Sequence, residues 1–156
     1  MKVAELMTRL VITVRDNAPV ADVARTILTH NISGVPVVDH NGRLVGIITE
    51  GDLVVQNANV HFPTFLQILD ARIYLTNTRQ FEEELRRALG TIATDIMTRD
   101  VLTVRSDSDV SDAATVMADK RVNSLPVLDD HRLVGMITRR DIIRHILEQY
   151  ADGGRR

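Results

Sequence analysis

The sequence predicts an α/β (α+β, sandwich-like) chain of two similar halves, each running strand, helix, strand, strand, helix. Three observations carry this. First, the stretch from Glu5-Leu6-Met7-Thr8-Arg9 to Thr49-Glu50-Gly51-Asp52 recurs from Asp95-Ile96-Met97-Thr98-Arg99 to Thr138-Arg139-Arg140-Asp141, with roughly 20 of about 50 aligned positions identical. Second, each copy alternates short β-branched runs with one apolar stripe of helical period. Third, each second pair of strands is joined by a few polar residues, which signals a hairpin. A unit this short cannot bury its apolar face alone, so the copies should pack on each other. The resulting clefts come as a pair related by a pseudo-twofold axis.

The elements follow in order. Val11-Ile12-Thr13-Val14 and Val101-Leu102-Thr103-Val104 read as first strands. In copy one a helix follows near Pro19, with Val20, Val23, Ala24, Ile27 and Leu28 on one face. Its counterpart carries Val110, Ala113, Ala114, Met117 and Ala118 after Ser106-Asp107-Ser108-Asp109. Val35-Pro36-Val37-Val38 and Leu44-Val45-Gly46-Ile47-Ile48 form a hairpin around Asn41-Gly42, because both turn residues tolerate φ > 0. The second hairpin, Leu125-Pro126-Val127-Leu128 with Leu133-Val134-Gly135-Met136-Ile137, lacks that Gly and one residue. Its turn should be of another type. A last helix starts at Thr49 or Thr138, and the second continues through Ile142, Ile143, Ile146 and Leu147.

The organisation is thus repeat 1 at 1–56, a helical insert at 57–92, repeat 2 at 93–149 and a fraying tail at 150–156. In the insert, Phe62, Phe65, Leu66, Ile68 and Leu69 cluster around Pro63. A helix from Asn77 or Thr78 to Gly90 places Phe81, Leu85 and Leu89 on one face. The insert either covers a core edge or offers a dimer or partner surface.

Composition narrows the function classes. The chain is 44% hydrophobic and 26% charged, an ordinary globular balance, and the scarcity of aromatics makes its core aliphatic. A net charge of −2 gives no reason to expect duplex nucleic acid. Without cysteine there are no disulfides, thiolate metal sites or thiol catalysis. No apolar run reaches the roughly 18 residues of a membrane span, and Met1-Lys2-Val3-Ala4-Glu5 opens no signal peptide, so a cytoplasmic protein is expected. His30, His40, His61, His131 and His145 lack metal-ligand spacing. The serines lack a nucleophile elbow, and no Gly-rich phosphate loop is present. No enzyme emerges.

The sharpest shared element is Thr-x-x-Asp at a strand-to-helix junction: Thr49 with Asp52, and Thr138 with Asp141. The hydroxyl and the free first-turn amides can hold an anion such as phosphate, and the Asp can accept from the vicinal hydroxyls of a ribose. The same spacing is also a capping box, in which the acidic side chain reaches back to the cap residue's N–H. Duplication does not separate the two, since caps duplicate as well.

The whole ordered pattern, present twice, resembles the CBS domain in its tandem form, the Bateman module, over about 3–54 and 93–147. The resemblance implies β-α-β-β-α repeats packed through their sheets, with two clefts that take AMP, ADP, ATP or S-adenosylmethionine. It implies that the Thr and Asp of each element hold ribose or phosphate. It places adenine against Val11, Val35 and Pro36 in one copy, and against Val101, Leu125 and Pro126 in the other. It also implies a non-catalytic regulatory module or energy sensor, a homodimer of modules, and a regulated protein on another chain. The alternative is a ligand-free structural or dimerisation module.

The chain departs from strong phosphate binders of that family. Where these carry His or Arg before the apolar-Pro pair, it has Ser33-Gly34 and Asn123-Ser124. Arg139 and Arg140 can supply charge beside Thr138, whereas Glu50 and Gly51 stand beside Thr49. Cations in a first helical turn oppose the helix dipole, which argues for an anion nearby. Two inequivalent sites are therefore expected, the better one at Thr138 and Asp141.

Overall fold

The structure is a computed structural model and describes residues 1–59 and 91–153. The apolar cluster around Pro63 and the helix from Asn77 or Thr78 to Gly90 lie outside the described residues. Repeat 1 consists of α1 (Val3–Leu6), β1 (Val14–Arg15), α2 (Val20–Thr29), β2 (Gly34–Val38), β3 (Leu44–Thr49) and α3 (Glu50–Asn59). Repeat 2 consists of α4 (Ala93–Ile96), α5 (Val110–Asp119), β4 (Ser124–Asp129), β5 (Arg132–Thr138) and α6 (Arg139–Gly153). The mixed architecture and the order of the principal helices and strands match expectation.

Each repeat is built around an antiparallel hairpin with a helix on it. β2 pairs with β3 from Gly34↔Thr49 to Val38↔Leu44, and β4 with β5 from Ser124↔Thr138 to Asp129↔Arg132. The amphipathic helices α2 and α5 bury Val23 and Ile27, and Ala113 and Met117, against these hairpins. Buried Val35, Val37 and Ile48 meet the first helix; buried Leu125, Val127 and Ile137 meet the second.

Two short helices, α1 and α4, were not expected from sequence, and each packs on the opposite repeat. Val3 and Met7 belong to the core of repeat 2, with Val110, Met117 and Leu125. Ala93 and Met97 belong to the core of repeat 1, with Val23, Val35 and Ile48. Backbone bridges continue the exchange, Thr8 to Met136 and Thr98 to Ile47, with Thr8 N–H donating to Met136 O at 2.8 Å and Thr98 N–H to Ile47 O at 2.9 Å. Full burial of one Val or Met is worth about 1.5–3 kcal/mol, so the exchanged segments are a substantial part of each core.

The exchange corrects the first-strand reading. Only Val14–Arg15 forms a regular strand, parallel to β2 through Val14↔Val37, and in repeat 2 only Val104 bridges, to Val127. Thr8 is tied to the sheet of repeat 2 and Val14 to that of repeat 1. Residues 9–13 must cross between the two sheets and cannot belong fully to either.

The turns also differ from expectation. The left-handed pair occurs in the hairpin without glycine, at Asp130 (φ 46°) and His131 (φ 63°), as a two-residue turn. The first hairpin is one residue longer: Asp39 N–H donates to Arg43 O at 2.9 Å, and only Gly42 (φ 77°) is left-handed. There the Asp39 carboxylate accepts the N–H groups of Asn41 (2.8 Å) and Arg43 (2.9 Å), which makes the Asn41 conformation unnecessary as a left-handed one.

Candidate functional site: a cleft between the repeats

The crossing segment 9–13 roofs a cavity of about 250 Å³ shared by both repeats. Repeat 1 supplies an apolar side from Leu10, Val11, Ile12 and Pro36, and Met136 of repeat 2 adds to it. Repeat 2 supplies most of the polar side through Asn123, Ser124, Thr138, Arg140 and Asp141. One sheet therefore offers a surface suited to a flat ring, and the other sheet offers donors and a carboxylate.

Thr138 ends β5 and Asp141 lies in the first turn of α6. Thr138 N–H and its hydroxyl both donate to Asp141 Oδ2, at 2.9 and 2.7 Å, and Asp141 N–H donates to Thr138 Oγ1 at 3.3 Å. Repeat 1 has the same pair: Thr49 N–H and Oγ1 donate to Asp52 Oδ2 at 2.7 and 2.9 Å. The element of repeat 2 is thus a full capping box, and that of repeat 1 shows its carboxylate half. The cap engages one carboxylate oxygen; among the described residues, Oδ1 of Asp141 accepts no side-chain hydrogen bond. Capping and ligand contact are compatible at this residue.

The two arginines after Thr138 diverge. Arg139 Nε donates to Val122 O at 3.1 Å and its Nη2 to Met117 O at 2.8 Å. It closes the C-terminus of α5, where cations are favoured, and it does not line the cavity. Arg140 does line it. The other candidates are spread likewise. Val11 and Pro36 line the cavity. Val35 and Leu125 are fully buried in their own cores. Val101, Pro126, Thr49 and Asp52 belong to the opposite, pseudo-equivalent side and do not line this cavity.

Sequence reasoning did not single out Thr8, Leu10, Ile12 or Asn31 for this site. Asn31 carried a usable signal, since a residue after a helix that adopts φ 50° is favoured as Asn. Thr8 and Leu10 carried none, because only the exchange brings them to the other repeat. Among the described residues, no group of three or more His, Asp or Glu side chains could hold a metal ion, and no helix is long and apolar enough to cross a membrane.

The model of the CBS domain matches twice, over residues 3–56 and 93–148. The chain belongs to the CBS-domain family. Its two repeats form a tandem CBS pair. An uncharacterised protein of Methanocaldococcus jannaschii is 33% identical over 155 residues, covering 94% of this chain and 92% of the relative. The inosine-5′-monophosphate dehydrogenase of the same organism is 31% identical over 92% of the chain, which spans 23% of that enzyme's length. Among solved structures, the CBS domain pair of protein MJ0100, in complex with 5′-methylthioadenosine and S-adenosyl-L-methionine, is 27% identical. Its TM-score is 0.73, with 96% of this chain and 98% of that one covered. The AMP complex of CBSX2 shares the fold at 24% identity, with a TM-score of 0.72 and 96% and 98% coverage.

Proposed function

We propose that this CBS pair is a non-catalytic regulatory module that binds an adenosine-containing ligand between its repeats. The observation that carries the reading is the shared cavity, with Val11 and Pro36 on one side and Thr138 and Asp141 on the other. The apolar side takes the base, and Asp141 Oδ1 takes the ribose hydroxyls. The similarity to the MJ0100 pair, solved with two adenosyl compounds, supports this choice of ligand class. S-adenosylmethionine, AMP, ADP and ATP are the candidate effectors, and the site at Thr49 and Asp52 is the second, weaker one. Because each repeat lends a helix to the other, a ligand that prefers one relative packing shifts that packing, and a partner protein reads the shift. A homodimer acting in the cytoplasm completes the proposal.

A second reading is a ligand-free structural module. It is favoured by the caps, in which each Thr already bonds its Asp without any ligand. A thermal-shift panel of the adenosyl compounds separates the readings. Ligand at one hundred times Kd should stabilise the folded chain by about 2.7 kcal/mol. A flat response to every compound would leave only the structural reading.

A further inference from the structure

We infer that Arg140 makes the cleft selective for adenosyl ligands carrying one anionic group, a single phosphate or carboxylate, over both the neutral nucleoside and the triphosphate. This rests on the adenosyl reading of the cleft. Arg140 is the cationic residue of the lining, and Asp141, committed to the cap and the sugar, is its carboxylate. Among the described residues the Arg140 guanidinium makes no ion pair or hydrogen bond, whereas Arg139 donates from Nε and Nη2 to the carbonyls of Val122 and Met117. An unpaired cation in the first turn of α6 opposes the helix dipole, and an anion bound beside it relieves that opposition.

A second, independent feature points to a ligand at the same end. Ser124 is only 8% exposed, lines the cavity, and its hydroxyl has no side-chain hydrogen bond among the described residues. It pairs with Thr138 across the hairpin, so this unused donor lies next to the Thr138 turn that carries Arg140. Repeat 1 has Gly34 and Gly51 at the corresponding places, and neither can make such contacts. One cation in the lining matches one anionic group and leaves the further charges of a triphosphate uncompensated.

Calorimetric titration of the whole chain with adenosine, AMP, ATP, 5′-methylthioadenosine and S-adenosylmethionine tests this, with Arg140→Gln alongside. The wild type should bind AMP about ten-fold or more tighter than adenosine, with ATP no tighter than AMP. S-adenosylmethionine and methylthioadenosine extend the panel, but the sulfonium and ammonium of the former offset its carboxylate, so the pair AMP and adenosine decides. Arg140→Gln should collapse the preference by about ten-fold, while Arg140→Lys restores part of it. Equal binding of adenosine and AMP would overturn the inference, as would a preference that survives Arg140→Gln or an ATP affinity above that of AMP. If adenosine binds without any anion preference, this inference alone falls. If no adenosyl compound binds, the adenosyl reading falls with it.

Discussion

Met7 of the first repeat lies directly over Gly135 of the second: a Cβ added at Gly135 would meet the Met7 side chain well inside van der Waals contact. Met97 covers Gly46 in the same way, so each repeat receives a methionine from the other at the glycine of its Leu-Val-Gly strand. The glycines are needed here for close approach rather than for backbone freedom, since both lie in extended strands.

Replacing Gly135 by Ala should therefore cost about 1–3 kcal/mol through overpacking. Met7→Ala alone leaves a cavity and should cost about 2–5 kcal/mol. Joined in one chain, the two should cost clearly less than their sum, since the methyl then fills part of the space Met7 vacates. Urea denaturation of the four proteins reads the coupling, and strict additivity would show that Met7 and Gly135 are not in contact.

Removal of residues 1–8 should loosen repeat 2 more than the repeat those residues belong to. Amide exchange should speed up first at Leu125, Val127 and Ile137, which pack with Val3 and Met7. Protection lost first at Val35, Val37 and Ile48 would contradict the exchanged packing.

Asp52→Ala and Asp141→Ala each remove a cap and should each cost about 0.5–2 kcal/mol of stability. Their effects on adenosyl binding should differ. Asp141→Ala should weaken it strongly and Asp52→Ala much less, because only Asp141 lines the described cavity. Binding that survives the first substitution and is lost in the second would reverse the ranking of the two sites.

Arg139→Ala should cost about 1 kcal/mol, from two hydrogen bonds to Met117 in the last turn of α5 and Val122 just beyond it, at a partly solvated position, without changing ligand affinity. Melting curves and titrations on this one variant separate the two effects. A loss of affinity at unchanged stability would place Arg139 on the ligand instead.

Acid should destabilise the protein through three carboxylates held below the usual range in the folded state. Asp109 is held down by its hydrogen bond and charge contact with Lys2 (3.0 Å), Asp107 by Arg105, and Asp39 chiefly by the backbone N–H of Arg43. Folding thus favours the ionised forms, so their contribution is complete above the ordinary value of 3.8 and is lost as pH falls through the lowered folded values. Lys2 has the opposite sign: its value is raised above 10.5, so its share persists below that and fades only in strong alkali. Salt should shrink the Asp107 and Asp109 parts, which are exposed ion pairs, more than that of Asp39, which rests on backbone hydrogen bonds. Stability curves between about pH 5 and 2 at two salt concentrations, with Asp39→Asn and Asp109→Asn, test this order.

The repeated pattern by itself determined the duplicated architecture, its hairpins, its principal helices and both Thr-x-x-Asp junctions. These are local consequences of apolar period, strand-forming residues and cap chemistry, all of which operate within a few residues. The amino-acid pattern also marked the broken symmetry between Glu50-Gly51 and Arg139-Arg140, but gave no means of separating the two arginines. Only the tertiary structure turns Arg139 onto the end of α5 and leaves Arg140 at the cavity. Only the tertiary structure joins Val11 and Pro36 to Thr138 and Asp141, because α1 and α4 change places between the repeats. An apolar segment such as Val3-Ala4-Glu5-Leu6-Met7 is equally able to cover either core. Which core it covers depends on the path of residues 9–13 between two sheets and on a glycine more than one hundred residues away, and neither is encoded within the segment itself.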